Sequence, residues 1–163
     1  MTTLEQAETI AQATLARGRE TGAAPLTVVV LDAGGHQVVL KREDGSGILR
    51  PEIAIAKAYG SLGMGLSSRE IGERATKQPA FFSALSAIAG GRLAPAAGGV
   101  LVRDASGAVI GAVGVSGDVS DVDEECAVAG IRAADLQPER FESGDRPPPS
   151  VRRGPAGPPA RRC

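Results

Sequence analysis

The feature that most constrains this chain is a change of hydrophobic period between Gly98 and Gly130. Gly98 to Arg103 and Ala108 to Val115 are apolar runs rich in Val and Ile, joined by Asp104-Ala-Ser-Gly107, in which a turn-forming Asp and a Gly free to take positive φ reverse the chain. That layout predicts a β-hairpin. After Gly114-Val-Ser-Gly117 the apolar residues recur at helical spacing, with Val122, Cys126, Ala129 and Ala133 on one face and Ser120 followed by Asp123 reading as a capping box. The second strand of the hairpin therefore feeds a helix through a tight turn.

Residues 26–40 echo this hairpin: an apolar run, an Asp-Ala-X-Gly turn with Asp32 and Gly35 in the roles of Asp104 and Gly107, then a second apolar run. Two hairpins supply four strands, enough for one antiparallel sheet. So few matching residues do not distinguish a repeat from two independent uses of the same turn chemistry.

The remaining segments read as helices. Thr3 followed by Gln6 is a capping box, and Leu4, Ala7, Ala11, Thr14 and Leu15 mark the inward face of a helix ending between Gly18 and Gly22. Pro51 suits a first helical turn, so Glu52 to Leu62 reads as a second helix with Ile55, Ala58, Tyr59 and Leu62 inward and Lys57 in its middle. Ser67 followed by Glu70 starts a short helix through Arg74, and Pro79 opens another over Ala80 to Ile88. The glycine-rich connection from Gly90 to Gly99 is expected either to form a short edge strand or to line a cleft. The whole is an α+β pattern.

At 163 residues the chain fits one domain, which we place at residues 1–142. Residues 144–163 hold six of the 11 prolines and almost no apolar bulk, so a disordered Pro/Arg-rich tail is expected over 143–163. Residues 1–143 carry 13 Lys and Arg against 18 Asp and Glu, whereas 144–163 carry five Arg and one Asp. An acidic body with one Tyr, three Phe and no Trp offers neither a basic patch nor stacking platforms, which argues against nucleic acid as a partner. The N-terminal stretch has no basic leader pattern and no apolar run is long enough for a bilayer, so no membrane partner and a cytoplasmic location are expected. Cys126 and Cys163 do not have the spacing of a disulfide framework.

Several chemistries are excluded by what the motifs lack. Gly111, Gly114 and Gly117 have the spacing G-x-x-G-x-x-G, which is neither a dinucleotide fingerprint nor a P-loop. The helix that follows opens with Asp118, Asp121, Asp123, Glu124 and Glu125, which would repel a phosphate. These carboxylates read either as complements to the helix dipole or, at Asp123 or Glu124, as groups aimed into a cleft. Ser116 lacks a G-x-S-x-G elbow, and one His with two distant Cys cannot make a zinc site. His36 is either a solvated turn residue or a ligand and proton-transfer group. Lys57 either snorkels to solvent or holds its ammonium in a pocket against a carboxylate.

The string Val-Val-Leu-Asp32-Ala-Gly34-Gly35-His36, then Lys41-Arg42-Glu-Asp44-Gly45, Ile-Ala-Lys57-Ala58, Gly98-Gly99-Val, Gly111-Ala-Val-Gly114-Val-Ser116-Gly117 and Asp123-Glu124-Glu-Cys126-Ala127-Val-Ala-Gly130 resembles the GlcG/HbpS family, which includes the C-terminal domain of PduO-type proteins. The resemblance covers about residues 3–136. It implies an α/β sandwich with a mostly antiparallel five-stranded sheet, assembled as a homo-oligomer, and haem as the ligand. The chain departs from the family pattern at Glu43, where Met is usual, and at Tyr59-Gly60, where Thr commonly follows the Lys-Ala of the second helix.

The leading functional reading is haem binding in a cleft bordered by the first hairpin turn, the second helix and the Gly114 to Gly117 turn. Its cofactor-binding residues are His36, Arg42, Lys57, Gly114 and Ser116. His36, the chain's only imidazole, is the candidate axial ligand to the haem iron, with an oxygen ligand as the alternative. A rival reading is a cofactor-free enzyme in which Lys57 with Asp123 or Glu124 performs acid–base chemistry on a small acidic or carbonyl metabolite. A third is an oligomeric scaffold without chemistry.

Overall fold

A computed structural model of the chain describes residues 1–139; the expected domain end at residue 142 and the tail at 143–163 lie outside the described residues. Five helices and five strands follow in the order α1 (Leu4–Thr21), β1 (Thr27–Asp32), β2 (Gln37–Arg42), α2 (Arg50–Met64), α3 (Ser68–Lys77), α4 (Pro79–Ile88), β3 (Gly99–Arg103), β4 (Val109–Ser116), α5 (Ser120–Ala133) and β5 (Gln137–Glu139). The strands make one antiparallel sheet of order β2-β1-β4-β3-β5, so the fold is α+β as expected. None of the helices among the described residues is long and apolar enough to cross a membrane.

Both predicted hairpins form, and their turns share one hydrogen-bond scheme. Asp32 Oδ1 accepts from the backbone N–H of Gly34 and His36, and Asp104 Oδ1 accepts from that of Ser106 and Ala108. Gly35 and Gly107 close the turns at φ 80° and 84°, in the region a side chain disfavours. β1 and β4 then pair in the middle of the sheet, with Thr27 opposite Ser116 and Asp32 opposite Gly111.

Because side chains alternate along a strand, the central strands are apolar on both faces. Val28, Val30, Val100, Val102, Val113 and Val115 form the main core with α1 and α5, while Val29, Leu31, Leu101 and Ala112 face α2. A third cluster of Leu66, Ile71, Phe82 and Leu93 joins α3, α4 and the connection after α4. Each of the large side chains fully withdrawn from water contributes about 1.5–3 kcal/mol.

Three expectations are corrected. The helix face predicted for α1 included Leu4, which is exposed; Ile10 takes the inward place because the buried stripe runs through Ala7, Ala11, Thr14 and Gly18. Residues 89–98 are not an edge strand; β5 occupies that edge against β3. The Ser120–Asp123 capping box does not form: Val119 is the N-cap, and the Asp123 carboxylate is drawn to a partner on α2. The buried face of α5 accordingly runs through Asp123, Cys126, Ala127, Gly130 and Ile131, leaving Ala133 exposed.

Candidate functional site

Helix α2 lies unusually close to the sheet because glycine stands beneath it. A Cβ on Gly114 would overlap the carbonyl oxygen of Ala54, and one on Gly99 the carbonyl of Lys57. Gly114 is therefore covered by α2, which places it in the helix–sheet packing and not on a cleft wall. The close seating carries Lys57 into the interior. Its ammonium donates to Val115 O at 2.9 Å and to Asp123 Oδ2 at 3.0 Å, with the two side chains 3% and 1% exposed. The other oxygen of Asp123 accepts the backbone N–H of Asp118 at 3.0 Å. Burial pushes Lys57 below the ordinary lysine range and Asp123 above the ordinary carboxylate range, while each charge opposes the shift in the other. Of the two readings of Lys57, the buried pair with a carboxylate is the one observed.

Ser116 is buried at the end of β4 and accepts a hydrogen bond from Arg50 Nη1 at 3.2 Å. A guanidinium cannot take a proton from a hydroxyl, so this pairing does not make Ser116 a nucleophile. Glu124 is also largely buried and accepts from Arg69 Nε at 2.8 Å; Arg69 bonds Asp121 as well, and these carboxylates raise its pKa. Arg69 escapes sequence reasoning because it lies 55 residues from Glu124, with no local pattern joining them. The three line an open depression of about 740 Å³ between α1 and α5, where Arg17 is likewise paired with Glu125.

His36 stands at the opposite end of the sheet. Its side chain is 82% exposed, and Nδ1 lies 3.2 Å from Asp32 Oδ1. Hydrogen bonds from the backbone of His36 and Gly34 hold the Asp32 carboxyl below its usual range. With Nδ1 turned to a carboxylate, Nε2 faces outward and has no hydrogen-bond partner among the described residues. A carboxylate behind one ring nitrogen fixes the tautomer and raises the basicity of the other, the arrangement usual for a metal-ligating imidazole. The donor chemistry thus fits haem iron. The turn that leads into His36 borders a hollow of about 160 Å³ lined by Ala33, Gly34, Gly35, Tyr59, Leu62 and Gly63, and His36 itself is not among the lining residues. The guanidinium of Arg92 stacks on the Tyr59 ring, 3.9 Å from its centroid.

Among the described residues, the groups expected to border a single cleft do not come together. Ser116 pairs with Thr27, and Thr27 with Arg42, whereas His36 follows the far end of β1; five residues of strand separate the two ends by about 17 Å. Arg42 and Ser116 thus share one end of the sheet, with the Lys57–Asp123 pair buried beside Val115 at that same end, and His36 with Tyr59 and Arg92 lies at the other. Antiparallel pairing explains the split: Gly114 to Ser116 belong to β4, and the chain leaves that strand at the end where β1 begins.

A family model described as haem degrading protein HbpS-like matches residues 2–132. Among solved structures, the fold is similar to that in the crystal structure of a PduOC:haem complex, with TM-score 0.76 at 22% identity over 85% of this chain and 98% of that one. The crystal structure of HbpS superposes with TM-score 0.70 at 30% identity, covering 80% of this chain and 87% of the other. Protein ORFY of Klebsiella pneumoniae gives TM-score 0.74 at 25% identity over 82% and 90%. No curated protein sequence matches the chain.

Proposed function

The chain belongs to the HbpS-like family, and from that membership we propose that it is a haem-binding protein whose axial ligand is His36. The observation that carries the proposal is the Asp32–His36 pair: an exposed imidazole with a carboxylate set behind Nδ1 and Nε2 presented to solvent. The description of the family as haem degrading, and the similar fold of a PduOC:haem complex, support the same ligand. Bound haem would supply iron-centred ligand and redox chemistry. The chain's part is to present the imidazole and fix its tautomer.

The hollow at the Gly34-Gly35 turn is smaller than the roughly 300–1,000 Å³ of pockets that enclose a small molecule. A porphyrin held there rests on an exposed surface that a second chain would cover. We accordingly propose a homo-oligomer, acting in the cytoplasm. Support comes from α4, which contains no charged residue and leaves Phe81 53% and Ile88 81% exposed. Light scattering at micromolar concentration is expected to give a multiple of 16.5 kDa, and a monomer mass would remove this part of the reading. In the same reading Lys57, Asp123 and Glu124 hold the fold together. The acid–base enzyme has less support, because a metabolite would reach Lys57 and Asp123 only if α2 and α5 parted.

The test is titration of haem into the purified protein while following the Soret band. Saturable uptake with the spectrum of an imidazole-ligated haem is expected. A protein that takes up no haem would overturn the proposal.

A further inference from the structure

We propose that Arg92, stacked on Tyr59, is the anchor for a carboxylate of the ligand held at His36; the inference rests on the haem reading above and names the part of that ligand it recognises. The two residues lie far apart in sequence, and their meeting depends on several features that all serve it. Gly90 and Gly91, at φ 63° and 80°, turn the chain sharply after α4. Leu93 is then buried against α2 at Gly60, where a Cβ would come within 3.3 Å of the Leu93 backbone. That contact delivers Arg92 to the residue before Gly60, which is Tyr59. The dipeptide Tyr59-Gly60 is one of the places where this chain departs from its family's pattern, and both residues have a use here: Gly60 admits the connection, and Tyr59 supports the guanidinium.

The guanidinium is oriented as well as placed. Its Nε donates to Ala89 O at 3.2 Å and its central carbon lies over the Tyr59 ring. Arg92 is exposed, and its two terminal nitrogens have no hydrogen-bond partner and no ion pair among the described residues. Such a guanidinium suits a carboxylate, which it can hold through two parallel hydrogen bonds. Tyr59 also meets the hairpin turn: a Cβ on Gly35 would lie 2.9 Å from Tyr59 Cε2. One ring and one peptide unit therefore connect the guanidinium to the imidazole of His36. A flat ligand with a metal at its centre and an acid at its rim matches that pairing of groups. The cations placed at the far end of the sheet, Arg42 and Arg50, are not available to it.

The experiment compares haem with its dimethyl ester, in which both carboxylates are capped, on the wild type and on Arg92→Gln, by Soret titration. The wild type is expected to bind haem about two- to fivefold more tightly than the ester, the range of an exposed ion pair. Arg92→Gln is expected to lose that preference by weakening haem alone, with the position of the Soret band unchanged because the iron ligand is untouched. Tyr59→Leu, which removes the support, is expected to reduce the preference in the same direction. A variant that binds haem as tightly as the wild type, or weakens both ligands equally, would overturn the inference while leaving haem binding intact. Absence of uptake by the wild type would instead remove the haem reading, and the inference with it.

Discussion

Lys57 Nζ and Asp123 Oδ2 lie 3.0 Å apart at the junction of α2, β4 and α5, and neither side chain reaches water. An ion pair in such a place contributes little when intact, because desolvation offsets attraction, but removing one partner strands the other charge. Lys57→Met is therefore expected to cost about 3–5 kcal/mol in urea unfolding, and Lys57→Met combined with Asp123→Leu distinctly less than the single change. Haem affinity is expected to hold in any variant that folds. Unchanged stability in Lys57→Met would show that the pair is not the tie between these elements.

Gly114 makes a similar claim about the backbone. A methyl group there has no space, since it would overlap the Ala54 carbonyl of a helix whose own hydrogen bonds prevent retreat. Gly114→Ala is expected to destabilise by about 1–3 kcal/mol or more, as overpacking does. Gly63→Ala, in the same helix but with open space around the added carbon, is expected to stabilise by about 0.5–1 kcal/mol. Thermal melts of the two variants check the contrast, and equal effects would mean that α2 can shift away from the sheet.

The two hairpin turns predict a response to acid. Hydrogen bonds to Asp32 from the His36 backbone, and to Asp104 from the Ser106 side chain, hold both carboxyls below the ordinary range in the folded protein. A folded value depressed in this way adds stability that is complete above the unfolded value of about 3.9 and is lost as pH falls through the lower folded value. The melting temperature is therefore expected to drop as pH falls below about 4, and to drop less steeply in Asp32→Asn combined with Asp104→Asn. Parallel curves for the two proteins would place the acid sensitivity elsewhere.

Where a local signal exists, the sequence was a good guide. Hairpin turns, the Thr3–Gln6 capping box and the Ser67 cap are decided by residues a few positions apart, and they form as the pattern implies. The Ser120–Asp123 box has the same local appearance, yet tertiary context overrides it, because Lys57 is buried 66 residues away and needs a counter-charge. β5 is three residues long and too short to show a period. Gly114 read as a cofactor-binding residue, whereas the group that approaches it, as at Gly99, is the backbone of a helix, which no local pattern names. The assembly of His36 with Tyr59 and Arg92 depends on the path of the connection after α4, which carries no periodic signal. The division of the expected site between two ends of the sheet follows from strand order, which hairpin patterns alone do not specify.

His36 decides the functional proposal. Its imidazole is exposed and its main polar partner is the carboxylate of Asp32, so truncation removes little packing. His36→Ala is expected to melt within a few degrees of the wild type, because the turn is held by the backbone N–H groups of Gly34 and His36 on Asp32 and these survive the change. Haem affinity is expected to fall at least tenfold, with the Soret band moving away from the imidazole-ligated position. Asp32→Asn separates the two roles of the carboxylate. Its amide oxygen can still accept the turn's N–H groups, but the negative charge behind Nδ1 is gone, so the imidazole loses the partner that enriches it as a ligand. Haem binding in this variant is expected to be weaker than in the wild type and stronger than in His36→Ala, with a raised reduction potential, since a less electron-rich imidazole stabilises ferric iron less. Wild-type affinity and spectrum in His36→Ala would remove this residue from the site.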